Sequence, residues 1–138
     1  ALLADMTRSA TRLQLAVKRP RAFEEFARYL GEHSAQGSAL TMRNYQAKRA
    51  SLYDLKDAFA AMAVPTLLVV GDEDEPVLDV NLFLKRTLPA AGLWVLPQTG
   101  HSVNLEEPDL YHRVLQDFFA EVEAGRWLPQ ARRFAPHL

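Results

Sequence analysis

Two short apolar runs, each bounded by turn residues, interrupt a chain that is otherwise patterned for helices. The first, Thr66 to Val70, is entered through Pro65 and left through Gly71, and it lacks the alternation of a half-exposed strand. A continuous apolar run of this length predicts a parallel strand buried on both faces. The second run, Leu93 to Leu96, leads on to Gly100 and His101. Between the two, residues 78–88 place Val80, Phe83, Leu84 and Leu88 on one side of a helix. The connection from Val70 to Leu93 is long enough for a crossover, so the strands are expected to be parallel and joined in a right-handed βαβ unit.

Helical spacing dominates elsewhere. Residues 1–17 carry Leu2, Leu3, Met6, Leu13, Leu15 and Val17, and Pro20 then stops the pattern. Residues 22–33 set Phe23, Phe26, Ala27 and Leu30 against Glu24, Glu25 and Arg28 on the opposite face. A break over 31–38 precedes a further helix over 40–49. Ser51, with Asp54 three positions on, reads as a variant capping box opening a helix that runs to Met62. Pro108 opens the last helix, through about Glu123, with Leu110, Val114, Leu115, Phe118, Phe119 and Val122 facing inward and Gly125 ending it. The expected organisation is a helical segment over 1–51, an α/β segment over 52–124 and an irregular arm over 125–138.

Composition narrows the function classes without choosing among them. With 138 residues, 49% hydrophobic and 24% charged, the chain suits one globular domain with a real core. A formal charge of −1 argues against a nucleic-acid surface. No run reaches the length of a membrane span, and residues 1–17 lack the order of a signal peptide. The absence of Cys removes disulfides, thiolate nucleophiles and zinc knuckles, and fits a reducing, cytoplasmic setting. The first residue is Ala and no cap residue precedes the first helix, so the chain is expected to begin inside something larger.

Candidate chemistry gathers where the strands end. Asp74 follows Gly71 by three residues, at the carboxyl end of a strand where ligands and catalytic groups collect in open α/β sheets. His101 leaves the same edge one βα unit later. A carboxylate so placed can accept a hydrogen bond from one imidazole nitrogen, fixing the tautomer so that the other nitrogen takes a proton. Each residue has a plainer reading too. Asp74 can serve as a loop solubiliser or helix cap, and His101 as a structural turn histidine beside Gly100. Asp72 and Glu73 are expected to face solvent, and a Mg²⁺ site over Asp72 to Glu75 would need ligands from other strands. His33, His112 and His137 lack such a context, Trp94 and Trp127 read as packing residues, and Glu106 and Glu107 read as negative charge for the first turn of the last helix.

The stretches VPTLLVVGDEDEPV (64–77) and LPQTGHSVNLEEP (96–108) resemble the last third of an α/β-hydrolase-fold enzyme. The resemblance covers about residues 52–124, with 1–51 similar to the helical cap of that family. It implies an incomplete α/β-hydrolase fold, Asp74 as the triad acid and His101 as the general base. The nucleophile elbow G-x-S-x-G is absent, since Gly31 and Gly37 each stand one position too far from Ser34 and no strand leads in. The family's oxyanion-hole loop is absent as well. The implied function is hydrolysis of an ester or related bond of a small-molecule substrate, with no cofactor and no metal, by an enzyme to which this chain gives acid and base but no nucleophile. Met42, Tyr45 and Tyr53 are the candidate pocket-lining residues, because the cap lines the pocket in that family. The alternative is a non-catalytic binding or assembly domain. Either way, the Thr66 to Val70 edge is expected to pair two copies into a homo-oligomer.

Overall fold

A computed structural model describes residues 9–131 of the chain. Leu2, Leu3 and Met6 of the first predicted helix lie outside the described residues, as do His137 and the rest of the arm from 132 onward. The helical segment comprises α1 (Ala10–Lys18), α2 (Pro20–Gly31) and α3 (Ala35–Thr41). Pro20 has two roles. It ends α1 by keeping Arg19 out of the helical region, at φ −139° and ψ 67°, and its own fixed φ opens α2. Ser34 caps α3, its Oγ accepting from the Gly37 amide at 3.1 Å, so the helix expected from 40 begins five residues earlier. It then widens into a π turn, Met42–Gln46, closed by the Ala47 amide on the Met42 carbonyl at 2.9 Å.

The helix expected from Ser51 is two pieces. Ser51 Oγ accepts from the Tyr53 amide at 3.3 Å rather than from Asp54, which starts a 3₁₀ turn, Leu52–Leu55, before α4 (Lys56–Ala60). The expected capping box therefore does not form.

The sheet consists of β1 (Thr66–Gly71) and β2 (Ala91–Leu96), parallel and joined through α5 (Glu75–Thr87). In register, Thr66 faces Ala91 and Gly71 faces Leu96, so both strands finish level with each other. β2 starts two residues before its apolar run. Its extra residues, Ala91 and Gly92, are small, and a Cβ on Gly92 would stand 2.6 Å from the Trp127 ring. Trp127 also donates from Nε1 to the Ala90 carbonyl at 2.8 Å and meets Phe118 edge-on, with centroids 4.8 Å apart. The start of the irregular arm is thus packed against the sheet, and the Gln130 amide donates to the Pro89 carbonyl.

After β2 come a one-turn helix, α6 (Val103–Glu106), which sequence periodicity did not indicate, and α7 (Pro108–Glu123). Gly125 at φ +68° ends α7, and Arg126 folds back so that its guanidinium, bonded to Glu121, holds that carboxyl below the usual carboxylate range. On the predicted inner face of α7, Val114, Leu115, Phe118 and Val122 are half-buried, whereas Leu110 and Phe119 are exposed. A two-stranded sheet is too narrow to cover a helix of 16 residues. Among the described residues the buried apolar side chains are Leu15, Val70, Leu88, Ala90, Ala91, Leu96 and Val103. No helix among the described residues is long and apolar enough to cross a membrane.

Two glycines carry the sharpest steric demands. A Cβ on Gly71 would collide with the carbonyl oxygens of Thr99 and Gly100, whereas a Cβ on Gly125 meets nothing within 4 Å but needs a positive φ. Gly71→Ala is expected to destabilise the chain by about 3 kcal/mol or more through backbone displacement, and Gly125→Ala by about 1 kcal/mol through φ strain alone. Urea unfolding of the two variants checks the order.

Candidate functional site

Level strand ends bring two loops together beyond the sheet. The loop after β1 turns tightly, the Asp74 amide donating to the Gly71 carbonyl at 3.1 Å, and Asp74 then starts α5 by accepting the Val77 amide on its own carbonyl. The loop after β2 lies across it. Asp72 donates its amide to the Leu96 carbonyl at 2.9 Å, and the Glu73 amide donates to the Thr99 carbonyl at 3.0 Å. Thr99 returns its own amide to Asp72 Oδ1 at 3.3 Å. Asp72 and Glu73 have exposed side chains as expected, yet Asp72 is also a tie between the loops, which its position in an acidic run did not reveal.

This interlacing carries Asp74 and His101 to one point. His101 Nδ1 lies 2.7 Å from Asp74 Oδ2. Asp74 is only 5% exposed, so little water competes for its carboxylate, while the His101 side chain is 49% exposed. An Asp in this place fixes which imidazole nitrogen carries the proton and stabilises the ring when it becomes charged. The pair can therefore take a proton from a group brought to Nε2 and hand it on.

Helix α1 and helix α6 hold the histidine loop from outside the sheet. The His101 amide donates to the Thr11 carbonyl at 2.7 Å. Lys18 Nζ spans the loop's base, reaching Thr99 Oγ1 at 3.2 Å and Glu107 Oε1 at 2.6 Å. Thr99 itself is fully buried and donates from Oγ1 to the Pro97 carbonyl. Glu106 is also buried, at 2% exposure, and its carboxylate accepts the amides of Gly100 and Ser102. This corrects the expectation that Glu106 serves the first turn of the last helix. It points instead into the histidine loop, because the short α6 turns it away from α7; Glu107 holds the N-cap position of α7 without a side-chain cap bond, its carboxylate going to Lys18.

The remaining candidates disperse. Met42 and Tyr45 lie on the π turn, 58% and 62% exposed, and neither lines the groove that Tyr53 shares with Pro76 and Val77. Tyr53 packs against Phe83 with tilted rings, centroids 4.7 Å apart, and lines an open groove of about 400 Å³ with Pro76 and Val77, which directly follow the acid loop. Ser34 is a helix cap between α2 and α3. His33 and His112 are exposed. Among the described residues no three His, Cys, Asp or Glu side chains converge to hold a metal, and the acidic run 72–75 gathers no ligands from elsewhere.

Comparison with known proteins agrees with this architecture. No protein-family model matches the chain. It is 30% identical over 59 residues to the Bacillus subtilis protein named as a 2-succinyl-6-hydroxy-2,4-cyclohexadiene-1-carboxylate synthase, covering 43% of this chain and 22% of that one. It is 27% identical over 70 residues to a proline iminopeptidase of Saccharolobus solfataricus, covering 51% and 23%. The solved structure of MenH from S. aureus superposes with a TM-score of 0.78 at 18% identity, covering 87% of this chain and 44% of MenH. The chain thus has an incomplete α/β-hydrolase fold, and it spans less than a quarter of the length of these two curated relatives.

If Asp74 orients the imidazole, Asp74→Asn will redistribute the proton between Nδ1 and Nε2, since an amide can donate as well as accept. ¹⁵N spectra of the neutral His101 ring are expected to show mainly the Nδ1–H tautomer in the parent and a mixture in the variant.

Proposed function

We propose that this chain supplies the acid and the general base of a Ser-His-Asp hydrolase, with the nucleophile coming from a segment outside these 138 residues. The observation that carries the reading is the 2.7 Å contact between His101 Nδ1 and a buried Asp74, in a histidine whose side chain is half exposed. In the complete enzyme Nε2 of His101 takes the proton from the serine Oγ as Oγ attacks the carbonyl carbon. Asp74 stabilises the imidazolium so formed. The imidazolium then protonates the leaving group, an acyl-enzyme remains, and His101 activates water to hydrolyse it. The relatives' names span a synthase and a peptidase, so they single out no substrate. The bond type, an ester or related acyl bond of a small molecule, rests on the triad chemistry.

Tyr53 is the pocket residue best supported, because its groove begins two residues beyond Asp74. Met42 and Tyr45 are proposed as lining residues that engage substrate only in the complete protein. A cytoplasmic location stays part of this proposal, on the absence of Cys.

The 138-residue chain alone is expected to hydrolyse no simple activated ester, because a His-Asp pair without nucleophile or oxyanion hole lacks both the covalent route and the charge stabilisation. Burst kinetics from this chain, abolished by His101→Ala, would sink the reading. In a longer natural product bearing G-x-S-x-G, Asp74→Asn should lower kcat by about 10⁴-fold.

The second reading, an assembly domain, is favoured by β1, which has β2 on one side and no ladder partner on the other among the described residues. An open apolar edge is a template for a second copy of the same strand, paired antiparallel about a two-fold axis. Light scattering at micromolar concentration is expected to report a dimer, and Val69→Pro to dissociate it by removing an edge donor, because the Thr66 and Asp72 amides donate across to β2 and alternation turns the Val69 amide to the free edge. A compact monomer at all concentrations would exclude this assembly.

A further inference from the structure

We propose that Glu106 is a positioning residue for His101, clamping the backbone on both sides of the histidine so that its ring meets Asp74. The proposal rests on the His101–Asp74 reading and adds the group that keeps the histidine in place. Glu106 Oε2 accepts the Gly100 amide at 2.8 Å and Oε1 accepts the Ser102 amide at 3.3 Å. The amide between them, that of His101, goes to the Thr11 carbonyl at 2.7 Å. Three successive donors are therefore tied, and the peptide planes around His101 have no freedom to swing.

Two features separate this from ordinary packing. The carboxylate is 2% exposed, yet among the described residues no Lys, Arg or His forms an ion pair with it. A buried charge without a counter-ion is tolerated only when strong donors converge on it, and the donors here are the two amides flanking the histidine. The plainer alternative is a helix cap, since Ser102 precedes α6 and a Glu reaching back to that amide is a familiar arrangement. The shorter of the two bonds, however, goes to Gly100, which lies outside the helix and before the histidine. Gly100 also has no room for a side chain, because a Cβ would stand 3.1 Å from Glu106 Oε1 and collide with the Thr11 carbonyl. The loop is built to let the carboxylate straddle it.

The test uses the 138-residue chain labelled with ¹⁵N and reads the ring as well as the backbone. Glu106→Gln keeps the volume but sets an NH₂ group against one of the two amides. Exchange at Gly100 or Ser102 is expected to quicken by about tenfold or more, the effect of losing a charged acceptor. The low-field Nδ1–H resonance of His101 is expected to shift or broaden in the same variant, and to stay in place in Glu123→Gln, an exposed control at the far end of α7. Should Glu106→Gln fail to fold, Glu106→Asp keeps the charge one methylene short and should move the same resonance by less. Faster amide exchange with an unmoved Nδ1–H signal, in whichever variant folds, would reduce Glu106 to a helix cap and overturn the proposal. Failure of the underlying pair is a separate result: the parent signal would then be unaffected by Asp74→Asn.

Discussion

The contact on which this architecture depends is backbone against backbone, where Gly71 at the end of β1 meets the carbonyls of Thr99 and Gly100. Only a residue without a Cβ lets the loops after β1 and β2 lie on each other. Once they do, the polar groups of each loop satisfy those of the other, through the Glu73 amide on Thr99 and the Thr99 amide on Asp72. Parallel register makes this possible, because it ends both strands at the same level. The Asp74–His101 pair is the outermost product of that closure.

Burial follows the same logic. The polar side chains withdrawn from water among the described residues are Asp74, Thr99 and Glu106, all in or beside the two loops. Each is paired: Asp74 with the imidazole, Thr99 with Lys18 and Pro97, Glu106 with two amides. Withdrawing such groups is costly unless every one finds partners, so a satisfied cluster of this kind favours one arrangement over slightly shifted ones. The apolar core beside it is small, and large apolar side chains such as Met42, Leu110 and Phe119 stay exposed. The buried polar groups of the described residues therefore sit beside the buried Val70, Leu96 and Val103.

Helix α1 is bonded to the loop that carries His101, although it is far from it in sequence. Its Thr11 carbonyl takes the His101 amide, its Lys18 bridges Thr99 and Glu107, and its Leu15 is fully buried. The N-terminal helical segment is thereby fastened to the loop that carries the general base of the proposed mechanism.

Local pattern by itself determined the two strands, the crossover helix, the last helix and the helical character of 10–46, because apolar runs, Pro and Gly act within a few residues of themselves. The nearness of Asp74 and His101 to the same edge followed from strand order alone. Boundaries shifted wherever a side chain chose its own partner: Ser34 capped α3 early, Ser51 turned toward Tyr53, and Gly92 entered β2 to make room for Trp127. Tertiary structure decided what no local pattern encodes, namely which carboxylate faces inward. Glu106 and Glu107 are adjacent and chemically alike, yet one is buried against the Gly100 and Ser102 amides and the other meets Lys18 near the surface. That difference arises from the turn of α6, which folds Glu106 back onto amides four and six residues earlier, and from the approach of α1, whose Lys18 takes Glu107 from 89 residues away; neither is carried by composition or apolar periodicity.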